Sequence, residues 1–321
     1  QADDLVSRGF EAKGLSTDIA VADGVLDISA RSGEFSGGTF SMDIGLNTRK
    51  MPYAADFQFD INGLVLDQVP GLRNIKLPLE GAVDVAVDLS GNGVSLREMV
   101  SGASGSLVAS GTDAVIPASN VDFLTGSILF GFLNLINPQE KLESHSLDCG
   151  FIGFRIVDGI AMSRDSVALQ TPDVTYLVRG GFSLKDESIV FAVKPKARKG
   201  IGLSAATLTN VVRVTGTFIE SRREVDPEGV ATTGATWGLA AMTGGLSILA
   251  QGLFDKFTGS GDVCGIANSN QQLLLAEPSE CVLNKWNQLQ LTTDSRISID
   301  ADTSSCSRGV DDIGSKRDKN D

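Results

Sequence analysis

Thr39-Phe40-Ser41-Met42-Asp43-Ile44-Gly45-Leu46-Asn47-Thr48 alternates apolar and polar residues without a slip. Phe40, Met42, Ile44 and Leu46 share one parity, and Ser41, Asp43, Gly45 and Asn47 share the other. A period of two marks a strand with one buried face and one wetted face. The same alternation places Phe57, Phe59 and Ile61 opposite Asp56, Gln58 and Asp60, and Val83, Val85, Val87 and Leu89 opposite Asp84, Ala86 and Asp88. It returns at Ile152, Phe154 and Ile156, at Val174, Tyr176 and Val178, at Ile189, Phe191 and Val193, and at Val212 and Val214. Asp23-Gly24, Asn62-Gly63 and Asp158-Gly159 are hairpin signals, and Gly37-Gly38 and Gly180-Gly181 supply positive φ. The fold class is mainly β: a long curved antiparallel sheet of about a dozen strands that forms an apolar groove, with a few short helices and one apolar C-terminal helix.

The predicted sheet domain spans residues 1–225, with short helices near 95–102 and 120–135. Ser95-Leu96-Arg97-Glu98 reads as a capping box whose helix Gly102 closes. Residues 226–258 form the apolar Gly/Ala/Leu segment. Within 230–254, Leu239, Met242, Leu246, Leu249 and Leu253 make a stripe at helical spacing opposite a run of glycines. That stripe fits docking on the sheet or contact with a membrane. Residues 259–300 read as loop-rich, and 301–321 as a polar, disordered tail. Cys264 and Cys281 flank part of the loop-rich stretch at a spacing that suits a disulfide in an oxidising compartment. Gln1 to Asp4 are polar and show no signal peptide, which suggests a mature or truncated chain.

Composition narrows the function. Of 321 residues, 42% are hydrophobic and 21% charged, enough to fold a sizeable core. A net charge of -13 argues against nucleic acid, whose phosphates call for cations. One histidine, His145, excludes multi-histidine metal centres. It lies between Ser144 and Ser146 with Asp148 near, but a triad is assembled by geometry and no oxyanion motif accompanies it. Gly200-Ile201-Gly202-Leu203-Ser204-Ala205 imitates a dinucleotide fingerprint, yet it lacks the strand before and the helix after. Asp56, Asp60, Asp84 and Asp88 read as solvated outer-face charges. Neither a cofactor nor a metal is called for, and the chain does not read as an enzyme. Lys194, Lys196, Arg198 and Lys199 crowd one short stretch, either as a solvated loop or as a contact for anionic head groups or phosphate.

The order of the motifs resembles the carboxy-terminal region of AsmA-family proteins. Asp23-Gly24-Val25-Leu26, Gly37-Gly38-Thr39-Phe40 and Gly91-Asn92-Gly93-Val94-Ser95-Leu96-Arg97-Glu98 come first. Leu133-Asn134-Leu135-Ile136-Asn137-Pro138, Leu147-Asp148-Cys149 and Phe154-Arg155-Ile156-Val157-Asp158-Gly159 come next. Val193-Lys194-Pro195-Lys196, Gly200-Ile201-Gly202-Leu203-Ser204, Val212-Arg213-Val214-Thr215-Gly216-Thr217 and Asp226-Pro227 complete the series, which covers about residues 10 to 285. The resemblance implies a periplasmic protein associated with the inner membrane, whose curled sheet carries phospholipid between inner and outer membranes. The family's amino-terminal anchor and amino-terminal region are not in this chain, and the polar tail after Leu291 and Cys306 have no place in the pattern. Membrane attachment would run through that missing anchor or through the 230–254 helix.

Parity and resemblance together predict a lipid-lining set: Phe40, Met42, Ile44, Leu46, Phe57, Phe59, Ile61, Val83, Val85 and Val87. Three short helices are too few to cover about a dozen strands, and acyl chains need apolar contact without hydrogen bonds. The alternative is a structural or assembly protein whose apolar sheet face binds an outer-membrane protein or a larger envelope complex.

Overall fold

Turn chemistry sets the path of the chain. Asp23 and Gly24 both take positive φ (49° and 77°), as do Asp158 and Gly159 (47° and 74°). Two consecutive left-handed residues make the tight turn whose twist matches paired strands. Ser36-Gly37 repeats the geometry at 46° and 80°. The computed structural model describes residues 2–7, 10–69, 81–116, 145–172, 174–198, 212–225 and 262–294.

Thirteen strands form one antiparallel sheet whose spatial order is their sequence order. They are β1 (Ala2–Ser7), β2 (Phe10–Ala22), β3 (Val25–Phe35), β4 (Gly38–Asn47), β5 (Tyr53–Val65), β6 (Ala82–Gly93) and β7 (Ser104–Ile116). They continue as β8 (His145–Val157), β9 (Ile160–Gln170), β10 (Val174–Ser183), β11 (Ser188–Ala197), β12 (Val212–Thr217) and β13 (Ser221–Val225). The sheet is curved and unclosed, as expected for a meander. At about 4.8 Å per strand it extends roughly 58 Å across its strands.

Two glycine motifs have roles other than separating strands. Asn62-Gly63 lies inside β5, where the register with β6 shifts between Ile61 and Leu64. It is a bulge, not a hairpin: Gly63 has φ 70° and donates its N–H to the Asp84 carboxylate at 2.8 Å. Gly180 (φ 123°) marks a second bulge inside β10.

The capping-box helix is present as α1 (Leu96–Ser101). Ser95 Oγ accepts from the Glu98 N–H at 3.3 Å, and the Glu98 carboxylate accepts from the Val94 N–H at 2.9 Å. Gly102 ends it by donating to the Glu98 carbonyl, without a left-handed turn. The predicted helices near 120–135 and in 226–258, and the 301–321 tail, lie outside the described residues.

The stretch 259–300 departs from its loop-rich reading. It carries two helices, α2 (Val263–Ala276) and α3 (Ser279–Asp294). The Asp262 carboxylate caps α2 by accepting from the Gly265 N–H at 2.8 Å. Val263, Ala267, Gln271 and Leu274 give α2 a buried stripe. Glutamines, asparagines and small residues dilute that stripe, so the apolar period is faint in sequence.

The cysteine pairing is also different. Cys149 in β8 is bonded to Cys264 in α2, and Cys281 is disulfide-bonded too, but not to Cys264. Helix formation is the reason. Cys264 starts α2 while Cys281 follows its end, and twelve helical residues to Ala276 rise about 18 Å. A disulfide tolerates a Cα separation of only about 4.4–6.8 Å. Cys149 lies 6.4 Å from Cys264, Cα to Cα.

Candidate functional site: the apolar sheet face

Register builds the face strand by strand. Phe40, Met42 and Ile44 stand directly opposite Ile61, Phe59 and Phe57. Ile61 and Phe59 in turn face Val85 and Val87. A bulge moves Val83 opposite Leu64 without turning it out of the face. Leu46, on the same parity, pairs with Leu26 and Ala55. All ten predicted lining residues therefore share one surface. Phe40 and Ile61 are buried and the other eight half-buried. Phe57 and Phe59 stack with centroids 6.3 Å apart, and Phe40 lies 6.1 Å from Phe59.

The surface is wider than those ten. Leu26 and Ile28 extend it through β3, and Leu89 and Leu107 carry it to β7. Leu107 faces Phe154 across the β7–β8 pair, and Phe154 packs edge-on against Phe182 (5.2 Å) and Phe191 (6.2 Å). The period-two alternation that marked the ten also marks most of these. Of the described helices only α1 lies on this face. It rests on Gly91 and Gly93, where a Cβ would meet Met99 and Glu98 backbone or side-chain atoms at 2.4–2.6 Å. The Gly-x-Gly of the sequence is thus the seat of a helix.

Opposite parity carries the charge. Asp43, Asp56, Asp60, Asp84 and Asp88 are all exposed on the other face. From β8 to β11 that other face carries apolar residues covered by helices. Val157, Ile160, Met162 and Val190 pack under Val282, Trp286 and Leu289 of α3. Phe151, Ala168 and Leu177 pack under Val263 and Ala267 of α2. Gly153 lets α2 approach: a Cβ there would sit 2.5 Å from Gln271, whose Nε2 donates to the Phe154 carbonyl at 3.2 Å.

A polar clamp fixes the joint between the two helices. The Arg155 guanidinium donates to the carbonyls of Leu274 (3.0 Å) and Glu277. The buried Glu277 carboxylate accepts from Arg164 and from Lys285 Nζ (2.7 Å). Burial holds the Lys285 ammonium below its usual pKa, partly offset by its bond to Glu277. Burial likewise lowers Arg155, against the opposing pull of Glu277. Behind the clamp Arg179 forms a bidentate pair with the buried Asp165.

Of the proposed head-group cations, Lys194 and Lys196 pair through β11 with Leu177 and Thr175. Arg198 donates to the Asp148 carboxylate and to the Thr171 carbonyl at 2.7 Å, pinning the end of β11 to its neighbours. Lys199 and the stripe Leu239, Met242, Leu246, Leu249 and Leu253 lie outside the described residues. Among the described residues no group of three or more His, Cys, Asp or Glu side chains converges, and no helix is long and apolar enough to cross a membrane.

Comparison with protein-family models, with characterised proteins and with solved structures returns no match. The geometry of the sheet therefore carries the functional argument.

Proposed function

We propose that this chain is a non-enzymatic lipid-handling protein of the bacterial envelope, whose apolar face acts as a groove that binds or conducts phospholipid between inner and outer membranes. The observation that carries the reading is the apolar surface running from Leu26 and Ile28 in β3 to Phe191 in β11, mostly half-buried as far as β7 and with Phe154, Ile156 and Val167 buried beyond it. It is far longer than the isolated apolar patches soluble monomers carry, and α1 is the one described helix upon it. Acyl chains satisfy such a surface because they bring apolar contact and no unpaired polar groups. The disulfide between Cys149 and Cys264 fits an oxidising compartment such as the periplasm. The resemblance of the motif order to that of the AsmA family supports the same reading.

A photo-crosslinking residue at Phe59 or Val85 should capture phospholipid in cells, while one at Asp60 or Asp84 should not. Equal labelling at both parities would overturn the groove reading. The second reading, an assembly protein that binds a polypeptide, draws on one feature. Among the described residues, β1 pairs only with the Phe10–Leu15 part of β2, and no described strand lies beside the following stretch on that side. Protein adducts in place of lipid at Phe59 and Val85 would favour it.

A further inference from the structure

In a sequential antiparallel meander, alternate turns fall on the same long rim of the sheet. One rim here carries the β2–β3, β4–β5, β6–β7, β8–β9, β10–β11 and β12–β13 connections. Its most exposed large apolar side chains are Val21 before the first turn (74% exposed), Met51 in the second (70%), Leu96 in the third (77%) and Ile219 in the last (68%). Phe218 joins Ile219 there, at 47%. Among the described residues the opposite rim has no large hydrophobic of comparable exposure. Leu96 sits at the start of α1 on the seat of Gly91 and Gly93, so a packed helix, not a loose loop, presents it.

Exposed charges of both signs flank these tips: Asp23, Glu98 and Glu220 are the acids, and cations stand near Met51, Leu96 and Ile219. Arg49 and Lys50 precede Met51, Arg97 follows Leu96, and Arg222 follows the Phe218-Ile219 turn; all four are exposed. Arg49 Nε donates to the Asp23 carbonyl at 2.8 Å, tying the first two turns together. Every second strand adds about 9.6 Å along the rim, so the first three tips are separate points on a line roughly 19 Å long. A protein partner would need a contiguous, close-packed apolar centre. A lipid surface accepts separate apolar tips, each sinking to acyl depth while the neighbouring cation meets head groups.

We infer that this rim is a membrane-docking edge, which lays the sheet against a lipid surface through Val21, Met51 and Leu96, with Phe218-Ile219 as a distal contact. The rim borders the apolar face, because Val21 pairs with Leu26 and belongs to that face. Docking here would set the border of the face directly on the bilayer. The inference stands whether or not the face itself carries lipid.

The test uses the full chain with vesicles of phosphatidylcholine, with and without phosphatidylglycerol. Met51→Trp and Leu96→Trp proteins are compared with Leu273→Trp, an exposed apolar position on α2 away from the rim. Brominated acyl chains should quench the added fluorescence at Met51 and Leu96, measured as the difference from the parent, and leave Leu273→Trp unquenched. This readout is specific to the rim even if another segment also binds the vesicle. The Met51→Asp/Leu96→Asp protein should bind vesicles at least about tenfold more weakly, the loss expected when apolar tips no longer enter the interface. Phosphatidylglycerol should strengthen binding of the parent, and Arg49→Gln/Lys50→Gln should remove that gain. Equal quenching at Met51 and Leu273, or no vesicle binding by the parent, overturns the inference. So does a change of oligomeric state in the Asp variant with vesicle binding intact, which would make the rim a contact between copies.

Discussion

β6 and β9 lie three places apart in one sheet, yet their environments differ. Along β6, exposed residues alternate with half-buried ones for most of its length. β9 buries nine of its eleven residues. The first half of the sheet is a one-sided amphipathic surface that turns its aspartates to water. In the second half helices α2 and α3 cover one face, and the apolar surface continues on the other. A single sheet thus combines an end packed under two helices with an end whose apolar side, among the described residues, carries only α1.

The largest expected contrast comes from removing one large side chain in each half. Trp286→Ala, under the helical layer, should cost about 4 kcal/mol in chemical denaturation. Phe57→Ala, on the half-buried face, should cost about 1 kcal/mol, because less apolar area leaves contact. Equal costs would break the distinction between the halves. Next comes the staple. Cys149→Ser/Cys264→Ser should lose about 3 kcal/mol, the usual yield of a disulfide and less than the roughly 5 kcal/mol that the chain-entropy account gives for so long a loop. Hydrogen exchange should place the loss in α2, β8 and β9 and leave β3 to β6 protected.

A smaller effect belongs to the clamp. Glu277→Ala leaves Arg164 and Lys285 facing each other at a partly buried site, and should cost about 2 kcal/mol. Glu277→Gln should recover part of that loss by keeping a hydrogen-bond acceptor. The smallest effect is a pH dependence. Tyr176 is buried in β10, and burial raises its phenol pKa well above the ordinary value. The native state therefore holds a proton that the unfolded chain releases. Its contribution is fully present below about pH 10 and falls, by at most about 1.4 kcal/mol per unit, as the pH rises further. Urea midpoints of the parent should drop across that range relative to those of Tyr176→Phe.

Much of the open half was legible in sequence because its physics is local. Alternation at Phe40 to Leu46 identifies the strand and also its inward face, and the paired strands repeat the same parity. Asp23-Gly24 and Ser95 to Glu98 act over a few residues, so their turn and cap are recoverable from the chain alone. Asn62-Gly63 shows the limit: the same dipeptide serves a tight turn or a bulge, and the register of β6 decides between them. In the covered half, Ile160-Ala161-Met162 lacks a polar alternate, a sign that both faces are packed. What packs there was not legible, since α2 and α3 have weak apolar periodicity and lie more than a hundred residues after β8.

By itself the sequence determined the meander, its apolar parity and the exclusion of multi-histidine metal chemistry, because strand periodicity, turn residues and composition are properties of short stretches or of counts. Only the tertiary structure decided that Cys149 meets Cys264, that Arg155 and Glu277 hold a helical joint, and that the apolar turn residues Val21, Met51, Leu96 and Ile219 line one rim. Each of those depends on which distant segments come within a few ångströms, and that is fixed by helix length, register and the handing of successive turns to alternate edges.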